Sequence, residues 1–297
     1  MGRRLLLLCL VMYVQVALII GTVVAGGRPP AMYVFGSSIL DVGNNNYLLG
    51  PAVDRANHPH NGIDFPASIP TGRFSNGYNI ADYVAKSMGF ACSPPAYLSL
   101  APTTTSSGTL VQAGLSHGVN YASGGAGILE STNAGNTVPL SKQVRYFGAT
   151  KAKMVAAAGT RAVDALLSSS VFLLGIGNND MYVFAAAELA RNRSAADQRR
   201  DAAVLYSNLV SNYSATVTEL YSMGARKFAI INVWLVGCVP AVRPCGCLAQ
   251  CPHAQTLSTN SLLASTSLFS PCSPASPPGC LASSTPSVTP SASHGTP

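Results

Sequence analysis

Four short apolar runs, each stopped by small or polar residues, set the limits on what this chain can fold into. Residues 31–35 (Ala-Met-Tyr-Val-Phe) stop at Gly36. Residues 118–121 lead into Ser123-Gly-Gly-Ala-Gly127. Residues 171–174 (Val-Phe-Leu-Leu) end in Gly175-Ile-Gly-Asn-Asn-Asp180, and residues 227–234 are nearly continuously apolar. Runs of this length bounded by turn residues read as buried strands. Helical spacing fills the gaps between them. A helix over 80–88 has Asn79 at its N-cap position. Helices are predicted near 141–158 and 161–167. A longer one over 195–223 carries Leu205, Leu209, Tyr213, Val217 and Leu220 at three- and four-residue steps and ends at Gly224. Residues 50–74 and 94–107 read as loops. Strands that are apolar throughout and alternate with helices predict an α/β fold, a parallel sheet covered on both faces in three α/β/α layers.

In such sheets ligands bind outside the carboxyl ends of the strands. Three of those ends carry candidate chemistry: residues 36–38, 123–127 and 175–180. A serine on a sharp turn after a strand presents both its hydroxyl and its own N–H. A glycine lets backbone approach a ligand closely, and an asparagine offers a side-chain amide. One nucleophile and three donors suffice for acyl transfer through an oxyanion.

The rest of the chain places this unit. Apolar residues make up 48% of 297 and charged residues only 10%, which allows a sizeable core under a surface poor in charge. The formal charge is +7, but no run of Lys and Arg exceeds two, which argues against a nucleic-acid partner. Arg3 and Arg4 precede an uncharged apolar run over 5–24, with Val23 and Ala25 placed as in a cleavage site. This predicts a secretory signal peptide over 1–25 and no stable membrane anchor, although a run of that length can span a bilayer. Secretion is an oxidising context in which the eight cysteines can pair. Asn192 and Asn212 head sequons and are candidate N-glycosylation sites. Residues 244–297 contain no Asp, Glu, Lys or Arg and are rich in Ser, Pro, Thr and Cys. They are expected to be a disordered tail following a domain over 26–243. The spacing Cys245-x-Cys247-x₃-Cys251-x-His253 does not match paired zinc ligands, so no metal is expected.

Five blocks in order carry a resemblance. They are Phe35-Gly-Ser-Ser-Ile-Leu-Asp-Val-Gly-Asn-Asn-Asn46, Gly72-Arg-Phe-Ser-Asn-Gly77 with Ala81-Asp82, residues 118–127, Gly177-Asn-Asn-Asp180, and Ile231-Asn-Val with Gly237-Cys-Val-Pro240. Together, over roughly 32–243, they resemble a plant GDSL esterase/lipase of the SGNH hydrolase superfamily. The resemblance implies a flavodoxin-like sheet and a serine ester hydrolase acting on a small ester or lipid outside the cell, in the wall or apoplast, without a cofactor. It implies Ser38, three residues before Asp41, as nucleophile. It implies Gly125, five residues after Asn120, as the oxyanion glycine, with Gly124 adjacent, and Asn179, before Asp180, as the oxyanion asparagine.

The chain departs from the family pattern in two places. Ser37 stands where the family carries Asp. The family's Asp-x-x-His, which supplies the base and the acid that orients it, has no counterpart: no Asp follows Asp201, and none of His58, His60, His117, His253 and His294 belongs to such a motif. The general base and acid are therefore unassigned. Loss of a triad member in serine proteases leaves only about 10³–10⁴-fold catalysis over water. The sequence thus predicts a fold incomplete at its C-terminus, from a truncated or mis-joined product. The alternative reading is a catalytically silent, secreted GDSL-like binding protein.

Overall fold

The first apolar run forms strand β1 (Met32–Gly36), buried along its whole length. The computed structural model describes residues 27–100, 107–191 and 193–233. After β1 the chain forms helices α1 (Ile80–Ser87), α2 (Tyr97–Leu100), α3 (Ser107–Ser116), α4 (Leu140–Ala158) and α5 (Thr160–Ser169). Strand β2 (Val171–Gly175), helices α6 (Asn178–Ala190) and α7 (Ala195–Ser222) and strand β3 (Lys227–Ile230) complete it. The expected signal peptide, Asn192, the segment 234–240, His253, His294 and the acid-free tail lie outside the described residues. Among the described residues no helix is long and apolar enough to cross a membrane.

β1 pairs with β2 in parallel, from Met32 opposite Val171 to Gly36 opposite Gly175. β2 pairs with β3 in parallel, from Val171 opposite Lys227 to Leu174 opposite Ile230. On the other flank of β1 the backbone of residues 117–123 runs alongside it. Met32 N–H donates to His117 O at 2.9 Å, Val34 N–H to Val119 O at 3.1 Å, Tyr121 N–H to Val34 O at 2.8 Å and Ser123 N–H to Gly36 O at 3.0 Å. The four predicted runs thus lie in the order second, first, third, fourth, the flavodoxin-like arrangement, whose ligand crevice sits where the order reverses.

The second run differs from expectation. It forms bridges at Asn120, to Val34 on one side and Ala96 on the other, rather than a regular strand. Asn120 explains this locally. Its buried side chain donates to Leu40 O at 2.8 Å and Ser93 Oγ at 3.0 Å and accepts from Ala122 N–H at 2.9 Å. It stitches three loops together instead of presenting an apolar face.

Successive β1 residues point to opposite faces, and each face has its own cover. Tyr33 and Phe35 join Phe172 and Leu174 under Leu110, Phe147, Met154, Leu167, Leu209 and Leu220 from α3, α4, α5 and α7. Met32, Val34 and Leu173 face Ala81 and Ala85 of α1, with Leu40 and Phe90. The first face is an aromatic cluster: Tyr33 stacks on Phe172 at 5.1 Å, Phe35 stacks on Tyr121 at 5.2 Å, and Phe147 meets Tyr33 edge-on at 5.3 Å. The long predicted helix is α7. Leu209 and Leu220 are buried and Leu205, Tyr213 and Val217 pack against the core, with Gly224 just past its end at φ 112. Asn79 caps α1 as expected, in a capping box with Asp82. α2, which lies in the segment 94–107 read as a loop, α3 and α6 are not expected from the sequence.

Candidate active site

Three adjacent chain segments end at the same edge of the sheet. After β1, Ser37 N–H donates to Gly175 O at 3.1 Å, and Ser37 O accepts from the N–H groups of Leu40 and Asp41, each at 3.0 Å. This tight turn buries Ser37 and leaves Ser38 half-buried. Below it the fully buried Gln143 of α4 clamps Gly36. Its Oε1 accepts from Gly36 N–H at 2.8 Å, and its Nε2 donates to Gly36 O at 2.9 Å and Val138 O at 2.8 Å. The strand end therefore cannot shift without breaking buried bonds.

Asp41 ties the serine turn to the glycine turn. Its Oδ1 accepts from the N–H groups of Gly43 and Asn44, both at 2.7 Å, and its Oδ2 from Gly124 N–H at 2.9 Å. Burial pushes its carboxyl up to about 6, against the pull of those backbone donors. The three asparagines that follow serve as backbone partners for distant loops. Asn44 donates to Asn120 O at 2.9 Å and Ala122 O at 2.8 Å. Asn45 donates to Asp54 O at 2.8 Å and Gly124 O at 3.0 Å, and Asn46 donates to Thr71 O at 3.2 Å.

The two glycines of the second cluster have different environments. Gly124 is buried, its N–H is committed to Asp41, and a Cβ there would meet the Phe74 ring at 2.3 Å. Gly125 is half-buried at φ +80, a conformation that suits glycine, and no acceptor among the described residues takes its N–H. Its carbonyl accepts from Asn133 Nδ2 at 2.8 Å.

The third cluster opens α6. Asp180, buried in the first turn, accepts from Ile128 N–H at 2.9 Å, Leu129 N–H at 3.0 Å and Thr132 Oγ1 at 2.7 Å. It fixes the loop after the glycines against the helix. Asn179, half-buried beside it, donates through Nδ2 to Ala126 O at 2.8 Å. An amide has two such hydrogens, so one remains for a ligand. The first turn of a helix also carries the positive end of its dipole.

The second sequence block is structural. Arg73 grips Asp82 through Nε at 2.7 Å and Nη2 at 2.9 Å, both side chains buried. Asp82 also accepts from Asn79 N–H at 2.9 Å and Ser93 N–H at 3.0 Å. Burial raises its carboxyl, but the hydrogen bonds and charge of Arg73 outweigh that and hold it below its ordinary value.

None of the described histidines is hydrogen-bonded to Ser38. His117 lies beside Met32, at the far end of β1, with the length of the strand, about 13 Å at the rise of a strand, between it and the Gly36 end. Its ring pairs with Ser116 Oγ at 2.6 Å. His58 is exposed, its Nδ1 at 3.1 Å from Pro59 O, and His60 is exposed in the same loop. Asn212 is exposed on α7, its Nδ2 donating to Asn208 O at 2.8 Å. Cys92 is an exposed free thiol.

The profile of the GDSL-like Lipase/Acylhydrolase family matches residues 32–267. The chain belongs to that family. Among similar GDSL proteins, the GDSL esterase/lipase At4g16230 of Arabidopsis thaliana is 36% identical over 244 residues, covering 80% of this chain and 62% of the relative. GDSL esterase/lipase At5g55050 from the same plant is 38% identical over 217 residues, covering 72% and 54%. GDSL esterase/lipase APG, also from that plant, is 35% identical over 216 residues, covering 72% and 57%. The chain thus spans between 54% and 62% of the length of these curated relatives. The GDSL match begins at Met32, where β1 begins, and extends past Arg243, where the composition changes.

Proposed function

We propose that this GDSL chain is built for carboxylic ester hydrolysis through an acyl-enzyme on Ser38. In this reading Ser38 Oγ attacks the ester carbonyl carbon and gives its proton to a base. The carbonyl oxygen becomes an oxyanion held by the N–H groups of Ser38 and Gly125 and by Asn179 Nδ2. The alcohol leaves with a proton, and water then releases the acid and restores Ser38. A small ester or lipid is the substrate class. One observation carries the reading: Gly124 N–H is committed to Asp41, whereas no described acceptor takes the N–H of Gly125 or of Ser38. Preorganised donors of this kind contribute about 10²–10³-fold each. Secretion behind a signal peptide over 1–25, a catalytic unit over 26–243 and a tail over 244–297 belong to the same proposal.

The test is covalent labelling. A fluorophosphonate probe incubated with the purified protein is expected to modify Ser38, and Ser38→Ala is expected to abolish the label. Equal labelling of the variant would remove Ser38 from the mechanism.

A second reading, a catalytically silent binding protein that keeps the oxyanion pocket, is favoured by one observation. No described histidine is hydrogen-bonded to Ser38. It predicts ester binding without turnover, so sustained hydrolysis of p-nitrophenyl acetate would sink it.

A further inference from the structure

The Gly125 N–H belongs to the same planar peptide unit as the Gly124 carbonyl, and in a trans peptide the two point in opposite directions. Whatever holds the Gly124 carbonyl therefore aims the Gly125 N–H. With glycine on both sides of that peptide, no Cβ resists its rotation. A group must hold it, and Asn45 is placed to do so. Its Nδ2 donates to Gly124 O at 3.0 Å.

Asn45 is itself immobile. Its side chain is fully buried. Its Oδ1 accepts from Ser123 Oγ at 2.6 Å, and its Nδ2 also donates to Asp54 O at 2.8 Å. Ser123 Oγ in turn accepts from Val138 N–H at 3.0 Å. Only an amide can accept from Ser123 while donating to two carbonyls.

The other donor peptide is held in the same way, by backbone instead of side chain. Ser37 O accepts from Leu40 and Asp41 N–H at 3.0 Å, which turns the Ser38 N–H outward. Both backbone donors are thus clamped at their carbonyl ends, and in the glycine case the clamp is one side chain from the serine block, 79 residues away.

We propose that Asn45 is the positioning residue of the oxyanion site. It holds the Gly124–Gly125 peptide so that the Gly125 N–H faces the substrate oxygen. The proposal rests on the reading of Ser38, Gly125 and Asn179 given above.

The test compares the full chain with Asn45→Asp, which keeps shape and the acceptor for Ser123 but turns a carboxylate on the Gly124 and Asp54 carbonyls. Two readouts are taken. Crystal structures report the orientation of the Gly124–Gly125 peptide, and fluorophosphonate kinetics report the inactivation rate kinact separately from the affinity KI. The expected result is a rotated peptide, with kinact lower by about 10²–10³-fold, the scale of one oxyanion donor, and KI unchanged. A general loosening would instead weaken KI and leave the peptide in place. An unrotated peptide with unchanged kinact overturns the proposal. If Asn45→Asp fails to fold, Ser123→Ala frees the Asn45 acceptor without adding charge. Its peptide is then expected to show two orientations and its kinact to fall about tenfold, and a single parental orientation with parental kinact overturns the proposal. If the parent does not label at Ser38, the ester-hydrolase reading fails, while the peptide orientation still judges the role of Asn45.

Discussion

Asp41 and Gly124, 83 residues apart, are joined by a buried hydrogen bond of 2.9 Å from the glycine N–H to the Asp41 carboxylate. The bond does two things. It makes the serine turn and the glycine turn one rigid unit, and it removes Gly124 from the pool of available donors. Asp41 is conspicuous in the sequence as the residue three after Ser38. Its carboxylate faces three backbone N–H groups, so its contribution to the site is architectural.

Asp41→Asn is expected to be strongly destabilising although it is isosteric. The amide nitrogen must replace one carboxylate oxygen. It then faces either the Gly43 and Asn44 N–H pair or the Gly124 N–H, donor against donor. An unsatisfied buried donor costs about 1–3 kcal/mol, so urea denaturation at pH 7 should show a loss of roughly 2–3 kcal/mol. An unchanged midpoint would show that the three bonds contribute little.

The pH dependence of that same pair of proteins is a separate measurement. Burial raises the Asp41 carboxyl to about 6 in the folded chain, against about 3.9 in an unfolded one. Between those values the folded state binds the extra proton, so stability from this group is highest below about pH 4 and is lost as pH rises toward 6. The loss is about 3 kcal/mol at 1.36 kcal/mol per pH decade. The stability difference between parent and Asp41→Asn should therefore shrink as pH rises from 4 to 6. A difference that is flat over that window would mean the backbone donors cancel the effect of burial.

Asp82 runs the other way. Arg73 holds its carboxyl below the ordinary value, so the pair's stabilisation is present above about pH 4 and is lost as pH falls through the lowered folded value. Arg73→Met leaves Asp82 buried without its cation and is expected to cost about 3–5 kcal/mol. The double variant Arg73→Met, Asp82→Asn should recover part of that, because the stranded charge is gone. Thermal unfolding of the three proteins at pH 7 checks both statements, and a double variant no better than the single one would contradict them.

Three of the four apolar runs, now β1, β2 and β3, were legible because they depend on local pattern, and the same pattern marked the three clusters that end at one sheet edge, whereas the second run forms bridges at Asn120 instead of a regular strand. Two of the three missed helices, α3 and α6, show where local pattern fails. α3 contains Gly108, Gly114 and β-branched Thr109 and Val111, which argue against a helix. Tertiary contact overrides this. Leu110 is buried in the core, and a Cβ at Gly114 would lie 2.8 Å from Met154 Sδ, so the glycine is what lets α3 approach α4. α6 opens with Asn-Asn-Asp after Gly177, which reads as a turn, and its remaining residues are apolar but for Glu188, so they show no period to detect. Asn45 was invisible for a different reason. An asparagine in a Gly/Asn cluster reads as a turn former, and its partners at Ser123 and Gly124 are far along the chain. The general base gives no signal of either kind among the described residues.

The two neighbouring glycines should respond differently to alanine. A Cβ on Gly124 would stand 2.3 Å from Phe74 Cζ and 2.9 Å from Asn45 Nδ2. Overpacking of this kind costs about 1–3 kcal/mol, and it also presses on the side chain that holds the Gly124 carbonyl. A Cβ on Gly125 has more room, its nearest neighbour being Thr137 Cγ2 at 3.0 Å, but φ +80 is unfavourable for alanine by about 1–2 kcal/mol. Gly125→Ala is therefore expected to melt modestly below the parent, since the site is half-buried, and to label more slowly with fluorophosphonate as its N–H shifts. Gly124→Ala should show the larger drop in melting temperature. If Gly125→Ala labels at the parental rate, the Gly125 N–H is not an oxyanion donor and that assignment fails.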